Sequence, residues 1–232
     1  MNYFRVDNHK IHQSLSPLGR STLKLLIVLI AVMIAADVLV YFGLRYANSA
    51  GMQSFEEALS VIQGYVNTDT ERSIPAWFSG GLWFLSSAVG LVIARANSSK
   101  AWVVFAIICA GLSLDEIIGL HEGLGDQAQS LIGNQGGLLN FEWVVIGAAL
   151  AVLLVAAGYR AVRTLDKELQ RIIFISGVVF VSGALVFESI SGFAIDNYGL
   201  QVFYHSMAWI EEALEMIGVS LLLVTLITES RI

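Results

Sequence analysis

Six apolar runs divide this chain, each close to the ~20 helical residues that cross a ~30 Å hydrocarbon core at 1.5 Å per residue. They cover Leu25 to Leu44, Ile74 to Ala94, Ala101 to Leu120, Phe141 to Tyr159, Ile172 to Ile195 and Val202 to Ile227, and none contains Lys or Arg. In hydrocarbon every backbone polar group needs an internal partner, which restricts such runs to helices. The expectation is an all-α, polytopic membrane protein: one six-helix bundle filling residues 1–232, with no separate soluble domain. Composition agrees, since 14% of the 232 residues are charged against about 25% in soluble domains. The net charge of −6 argues against nucleic acid as a partner.

Orientation follows from the basic residues. With the N-terminus inside, the cytoplasmic segments hold Arg5, Lys10, Arg20, Lys24, Arg95, Lys100, Arg160, Arg163, Lys167, Arg171 and Arg231, and the outer segments hold Arg45 and Arg72. This asymmetry is the positive-inside pattern and puts both termini in the cytoplasm. The polar start, Met1 to Ser21, precedes an apolar run with no small-residue cleavage site behind it, so the first span is expected to stay uncleaved. In the long first outer loop, Ser54 and Glu57 have capping-box spacing, and Phe55, Leu59, Ile62 and Val66 recur at helical intervals. That pattern predicts a short amphipathic helix on the outer membrane surface or across the bundle end. The pairs Ala31/Ala35, Ser86/Gly90, Ala106/Ala110 and Gly147/Ala151 suit close helix packing. The tryptophans lie mostly near span ends, as an aromatic belt would place them.

Against this apolar background the acids stand out. The stretch Leu112 to Gly125, LSLDEIIGLHEGLG, carries Asp115, Glu116, His121 and Glu122 at or just past the outer end of the third run. Glu142 begins the fourth run and Glu188 interrupts the fifth. His205, Glu211, Glu212 and Glu215 descend through the sixth, and Asp37 lies in the outer half of the first. Helical rise puts Asp115, Glu116 and Glu188 about 7–10 Å below the outer ends of their helices. Asp115 and Glu122 share a face at seven-residue spacing, as do His205 and Glu212. Intramembrane ionisable groups are costly and mark functional sites by default.

With no Lys or Arg inside the runs, three solutions are open. The acids hold protons, they face a water-filled cavity open to the outside, or they bind a cation with His121 and His205 as additional ligands. Asp115, Glu116, His121, Glu122, Glu188, His205, Glu211, Glu212 and Glu215 are therefore the candidate cation or proton site. Oxygen-rich ligation from several helices resembles di-metal carboxylate bundles and would suit iron, manganese or zinc, but their Glu-x-x-His repeat is absent. Two histidines are too few for the three-histidine zinc site of membrane hydrolases. No P-loop, nucleophile elbow or dinucleotide fingerprint occurs. Ordinary roles remain for single acids: a residue such as Asp37 or Glu142 can simply accept hydrogen bonds from Ser, Tyr or backbone. Cys109 reads as a small buried apolar side chain.

Three function classes follow: a carboxylate site that binds or passes a cation or protons, a membrane metalloenzyme, and a non-catalytic subunit whose acids pair with a partner's basic helix. A second copy of the chain is a further candidate partner beside the lipid bilayer. The acidic pairs Asp115-Glu116 and Glu211-Glu212, each on the third helix of its half, hint at an inverted repeat of the transporter kind. The patterns P-A-W-F-S-G (Pro75 to Gly80), L-S-L-D-E-x-x-x-L-H-E (Leu112 to Glu122) and E-x-L-E-M-I-G (Glu212 to Gly218) resemble motifs of uncharacterised multi-pass bacterial membrane proteins. That resemblance implies a bacterial inner membrane and no particular activity.

Overall fold

The computed structural model describes residues 15–120, 123, 143–198 and 201–230. Among them the chain is all-helical: α1 (Pro17–Ser49), α2 (Gln53–Val66), α3 (Ile74–Ala96), α4 (Lys100–Ile118), α5 (Trp143–Val162), α6 (Lys167–Val181), a π-helical segment (Ser182–Phe187), α7 (Glu188–Tyr198) and α8 (Gln201–Ser230). Four helical stretches are long and apolar enough to cross a membrane: Pro17–Ser49, Ile74–Ala96, Lys100–Ile118 and Lys167–Phe193. A shorter apolar stretch, Gly147–Val162, lies within α5.

Local chemistry sets the helix ends. Ser16 caps α1, its hydroxyl accepting from the Gly19 N–H at 3.0 Å, with Pro17 opening the helix. Ser73 does the same for α3, accepting from the Ala76 N–H at 3.2 Å, with Pro75 in the first turn. Both prolines sit where the helix leaves N–H groups without an internal acceptor, so their missing donor costs nothing. α4 stops at Gly119, whose φ of 63° is the left-handed conformation that glycine adopts without strain. A Cβ there would fall 2.5 Å from Glu71 Oε2, so a carboxylate of the loop between α2 and α3 closes over the bare backbone.

The amphipathic helix is present as α2, but its start differs from the capping-box reading. Met52 is the N-cap and makes no side-chain capping bond. Ser54 and Glu57 therefore sit inside the helix, where Gln53 Nε2 donates to Glu57 Oε1 at 3.2 Å. The apolar stripe is also split. Leu59 and Val66 are half-buried, and a Cβ on Gly43 of α1 would meet Leu59 Cδ1 at 3.0 Å, whereas Phe55 and Ile62 stay exposed.

α8 is the axis of the bundle. It packs against α1, α3, α6, the π segment and α7, while α4 lies on α3 and α5 lies on α4. The core brings together Leu82 and Trp83 of α3, Trp102, Phe105 and Cys109 of α4, and Val219, Leu222, Leu223 and Leu226 of α8. Small residues let the backbones approach. A Cβ on Gly90 would touch Ala106 Cβ at 3.4 Å, so one residue from each of two predicted small pairs meets at the α3–α4 seam. Two serine hydroxyls stitch that seam, Ser87 to the Ala106 carbonyl and Ser113 to the Gly80 carbonyl, each at 2.7 Å. Trp77 is exposed in the first turn of α3, as a belt residue would be, but Trp102 departs from the belt expectation. Trp102 is fully buried, and its indole N–H donates to Thr164 Oγ1 at 3.2 Å, tying α4 to the turn after α5.

Candidate functional site

The acids expected at one outer layer resolve into two groups. The first is built around Asp37, which is 2% exposed on α1. Its Oδ2 accepts three bonds: from the Thr68 N–H at 2.9 Å, the Thr68 hydroxyl at 2.8 Å and Trp209 Nε1 at 3.1 Å. One carboxylate oxygen thus joins α1, the loop before α3, and α8. Beside it the Tyr41 ring lies 4.4 Å from His205 and 5.5 Å from Trp209. Arg45 reaches back one turn to donate to the Tyr41 hydroxyl at 3.3 Å. Among the described residues, the charged groups that act on His205 are Asp37 and Arg45. His205 therefore belongs to this clasp, although its seven-residue spacing from Glu212 had placed both on one face.

The second group is the acid layer proper. Glu211, Glu212 and Glu215 project from α8, Asp115 and Glu116 close α4, and Glu188 opens α7. All six are half-buried. Glu212 lies within electrostatic range of Glu215, Glu116, Asp69 and Glu188, and Glu215 within range of Glu116, Glu211, Glu188 and Asp115. Of the two acidic pairs singled out in the sequence, one member of each, Glu116 and Glu212, act on one another. Among the described residues, the charged groups acting on Glu211, Glu212 and Glu215 are all carboxylates.

Local structure explains how Glu188 and α8 come so close. The six residues before Glu188 form a π-helical turn, a distortion that recurs at functional sites. Within it Gly183 presses on α8: a Cβ would lie 2.7 Å from the Glu211 carbonyl oxygen and 2.9 Å from Glu215 Cγ. Only a residue without a side chain fits at that crossing, and the extra residue of the π turn sets the rotation at which Glu188 leaves it.

Asp69 was not among the sequence candidates. It receives the Tyr204 hydroxyl at 3.0 Å and acts on Glu211 and Glu212, so the loop between α2 and α3 adds a carboxylate to the layer. In the sequence it stands in a polar run, Thr68 to Ser73, that reads as a solvated loop.

His121, Glu122 and Glu142 lie outside the described residues. Among the described ones, no group of three or more His, Cys, Asp or Glu side chains is arranged to hold a metal ion. Cys109 is buried in the core as expected, at 1% exposure.

No curated protein and no solved structure matches the chain. A family model does match, across residues 25–228, from α1 to near the end of α8 and so through both acid groups. The chain belongs to the family described as a domain of unknown function, DUF8692.

Proposed function

We propose that this chain is a six-span protein of a bacterial inner membrane, both termini cytoplasmic, whose outward-facing carboxylate layer binds or passes a cation or protons. The topology rests on the asymmetric distribution of Lys and Arg, with α5 and α8 as the fourth and sixth crossings. α8 has 30 residues, about 45 Å of helix, enough to span and extend past the core.

The observation that carries the functional reading is the like-charge neighbourhood of α8. Glu211, Glu212 and Glu215 meet Asp69, Asp115, Glu116 and Glu188, and no described cation acts on the three. A set of carboxylates on which no described cation acts is a setting in which protons are shared or a positive ion is recruited. A layer that gains and loses such charges is a transit or binding site. His205, held with Asp37 and Arg45, sits outside the layer as part of its outer frame.

The test is flux into sealed vesicles containing the full-length protein, read with an internal pH dye and with cation-selective probes. Wild-type protein is expected to carry flux that Asp115→Asn and Glu212→Gln abolish. Flux unchanged in both variants would overturn the reading.

A further inference from the structure

Four buried polar atoms of the core meet no hydrogen-bond partner among the described residues: Ser79 Oγ, Trp83 Nε1 and Ser86 Oγ of α3, and Ser220 Oγ of α8. Ser86 and Ser220 are 0% exposed, Ser79 1% and Trp83 6%. The three α3 residues recur at i, i+4 and i+7, so they share one face over about 10 Å of helix. α3 packs along α8. The Trp83 ring meets Phe180 edge-on at 5.1 Å, and Phe180 in turn abuts Gly218, where a Cβ would lie 2.8 Å from Phe180 Cβ. Gly218 therefore lies near the level of the Trp83 ring, and Ser220 lies about 3 Å further along α8.

The upper end of this row reaches the acid layer. Ser79 precedes Gly80, whose carbonyl receives the Ser113 hydroxyl. Glu116 stands three residues beyond Ser113, about one helical turn along α4, and acts on Glu212 and Glu215. The lower end, at Ser86 and Ser220, lies deeper among apolar side chains.

Elsewhere the bundle satisfies such groups. The hydroxyls of Ser182, Ser206 and Thr225 turn back to the carbonyl four residues earlier, and the indoles of Trp102 and Trp209 donate to Thr164 and Asp37. An indole N–H has no route back to its own helix, so Trp83 requires a partner from outside it. A buried donor left unmet is costly, and a polar site offering two to four partners is what an internal water needs.

We infer that the seam between α3 and α8 binds a file of ordered waters that bridges Trp83 Nε1 and the hydroxyls of Ser79, Ser86 and Ser220 and is continuous with the acid layer. Its role as the inward route for protons rests on the transport reading above; its hydration does not.

Radiolytic labelling tests it, on the full-length protein in lipid nanodiscs, read by mass spectrometry. Hydroxyl radicals born on bound water oxidise side chains that bulk solvent does not reach. Trp102 is the internal control, because it is also buried and its N–H is already bonded. The expected result is oxidation of Trp83 several-fold faster than of Trp102, falling to the Trp102 rate in Ser79→Ala/Ser86→Ala/Ser220→Ala. Equal rates in the wild-type protein would overturn the inference, and that comparison needs no variant to fold. Labelled Trp83 in a protein without proton flux keeps the water site and removes its transport role. Unlabelled Trp83 in a protein whose flux Glu212→Gln abolishes removes the water site and leaves the acid layer standing.

Discussion

Replacing Asp37 by alanine tests whether the clasp around it holds the bundle together. The variant strands three donors: the Thr68 N–H, the Thr68 hydroxyl and Trp209 Nε1, which now approach one oxygen at 2.9, 2.8 and 3.1 Å. Each stranded donor costs about 1–3 kcal/mol if it stays buried. Side-chain hydrogen bonds in membrane bundles average nearer 0.6 kcal/mol, because the reference state also finds partners. The Thr68 hydroxyl can also rotate toward another acceptor. Weighing the two scales, the expected loss is roughly 2–6 kcal/mol, a large part of a marginal stability. The assay is reversible unfolding in mixed micelles followed by tryptophan fluorescence. Thr68→Val keeps the backbone donor and should cost about 1 kcal/mol. Because the residues share one oxygen, Asp37→Ala and Thr68→Val should be non-additive in a double-mutant cycle. A loss under about 0.5 kcal/mol for Asp37→Ala, the size of an ordinary surface change, would refute the argument that this carboxylate fastens α1 to α8.

Other positions give sharper geometric tests. Gly183→Ala drives a Cβ into the Glu211 carbonyl and should destabilise by about 1–3 kcal/mol and impair flux, since it displaces the π turn that positions Glu188; wild-type stability and flux would discount the crossing. Gly218→Ala meets backbone as well, 2.8 Å from Phe180 N and 2.9 Å from the Ser176 carbonyl, and should disturb the 2.8 Å bond from Ser176 Oγ to the Gly218 carbonyl, with a similar loss in the same unfolding assay. Metal analysis of gently purified protein separates proton sharing from a resident metal. Sharing expects iron, manganese and zinc well below one per chain, whereas stoichiometric metal lost in Glu116→Gln/Glu212→Gln would move the site to metal chemistry. Reporter fusions at both ends should report the cytoplasm, and an external terminus would overturn the six-span topology.

The positions of the helices were legible because hydrocarbon leaves a chain few options. A run of about 20 apolar residues bounded by caps such as Ser73 and Pro75 reads almost directly as a helix, and α3 begins at the residue where the run begins. The same exclusion made the acids visible, since a carboxylate in such a run has no ordinary reason to be there. What periodicity could not supply was which helix faces which. Spacing grouped His205 with Glu212 along one helix, while the fold set His205 against Tyr41 of α1 and Glu212 among Glu215, Glu116, Asp69 and Glu188. Nothing in the local sequence distinguished Asp69 from a solvated loop acid; only the fold of that loop against Tyr204 brought it into the layer. Capping chemistry misled at α2 for a related reason, because Ser54 and Glu57 have the right spacing but the N-cap is Met52, two residues earlier. The π turn before Glu188 was equally hidden, since it arises where Gly183 meets the backbone of α8. Sequence by itself determined the helical, membrane-suited class and the carboxylates that need explaining, because solvent transfer acts on each residue separately. The division of those carboxylates into a clasp and a layer, and the row of polar atoms below them, were decided by tertiary structure, because contacts between distant segments depend on rotation and register that no single helix encodes.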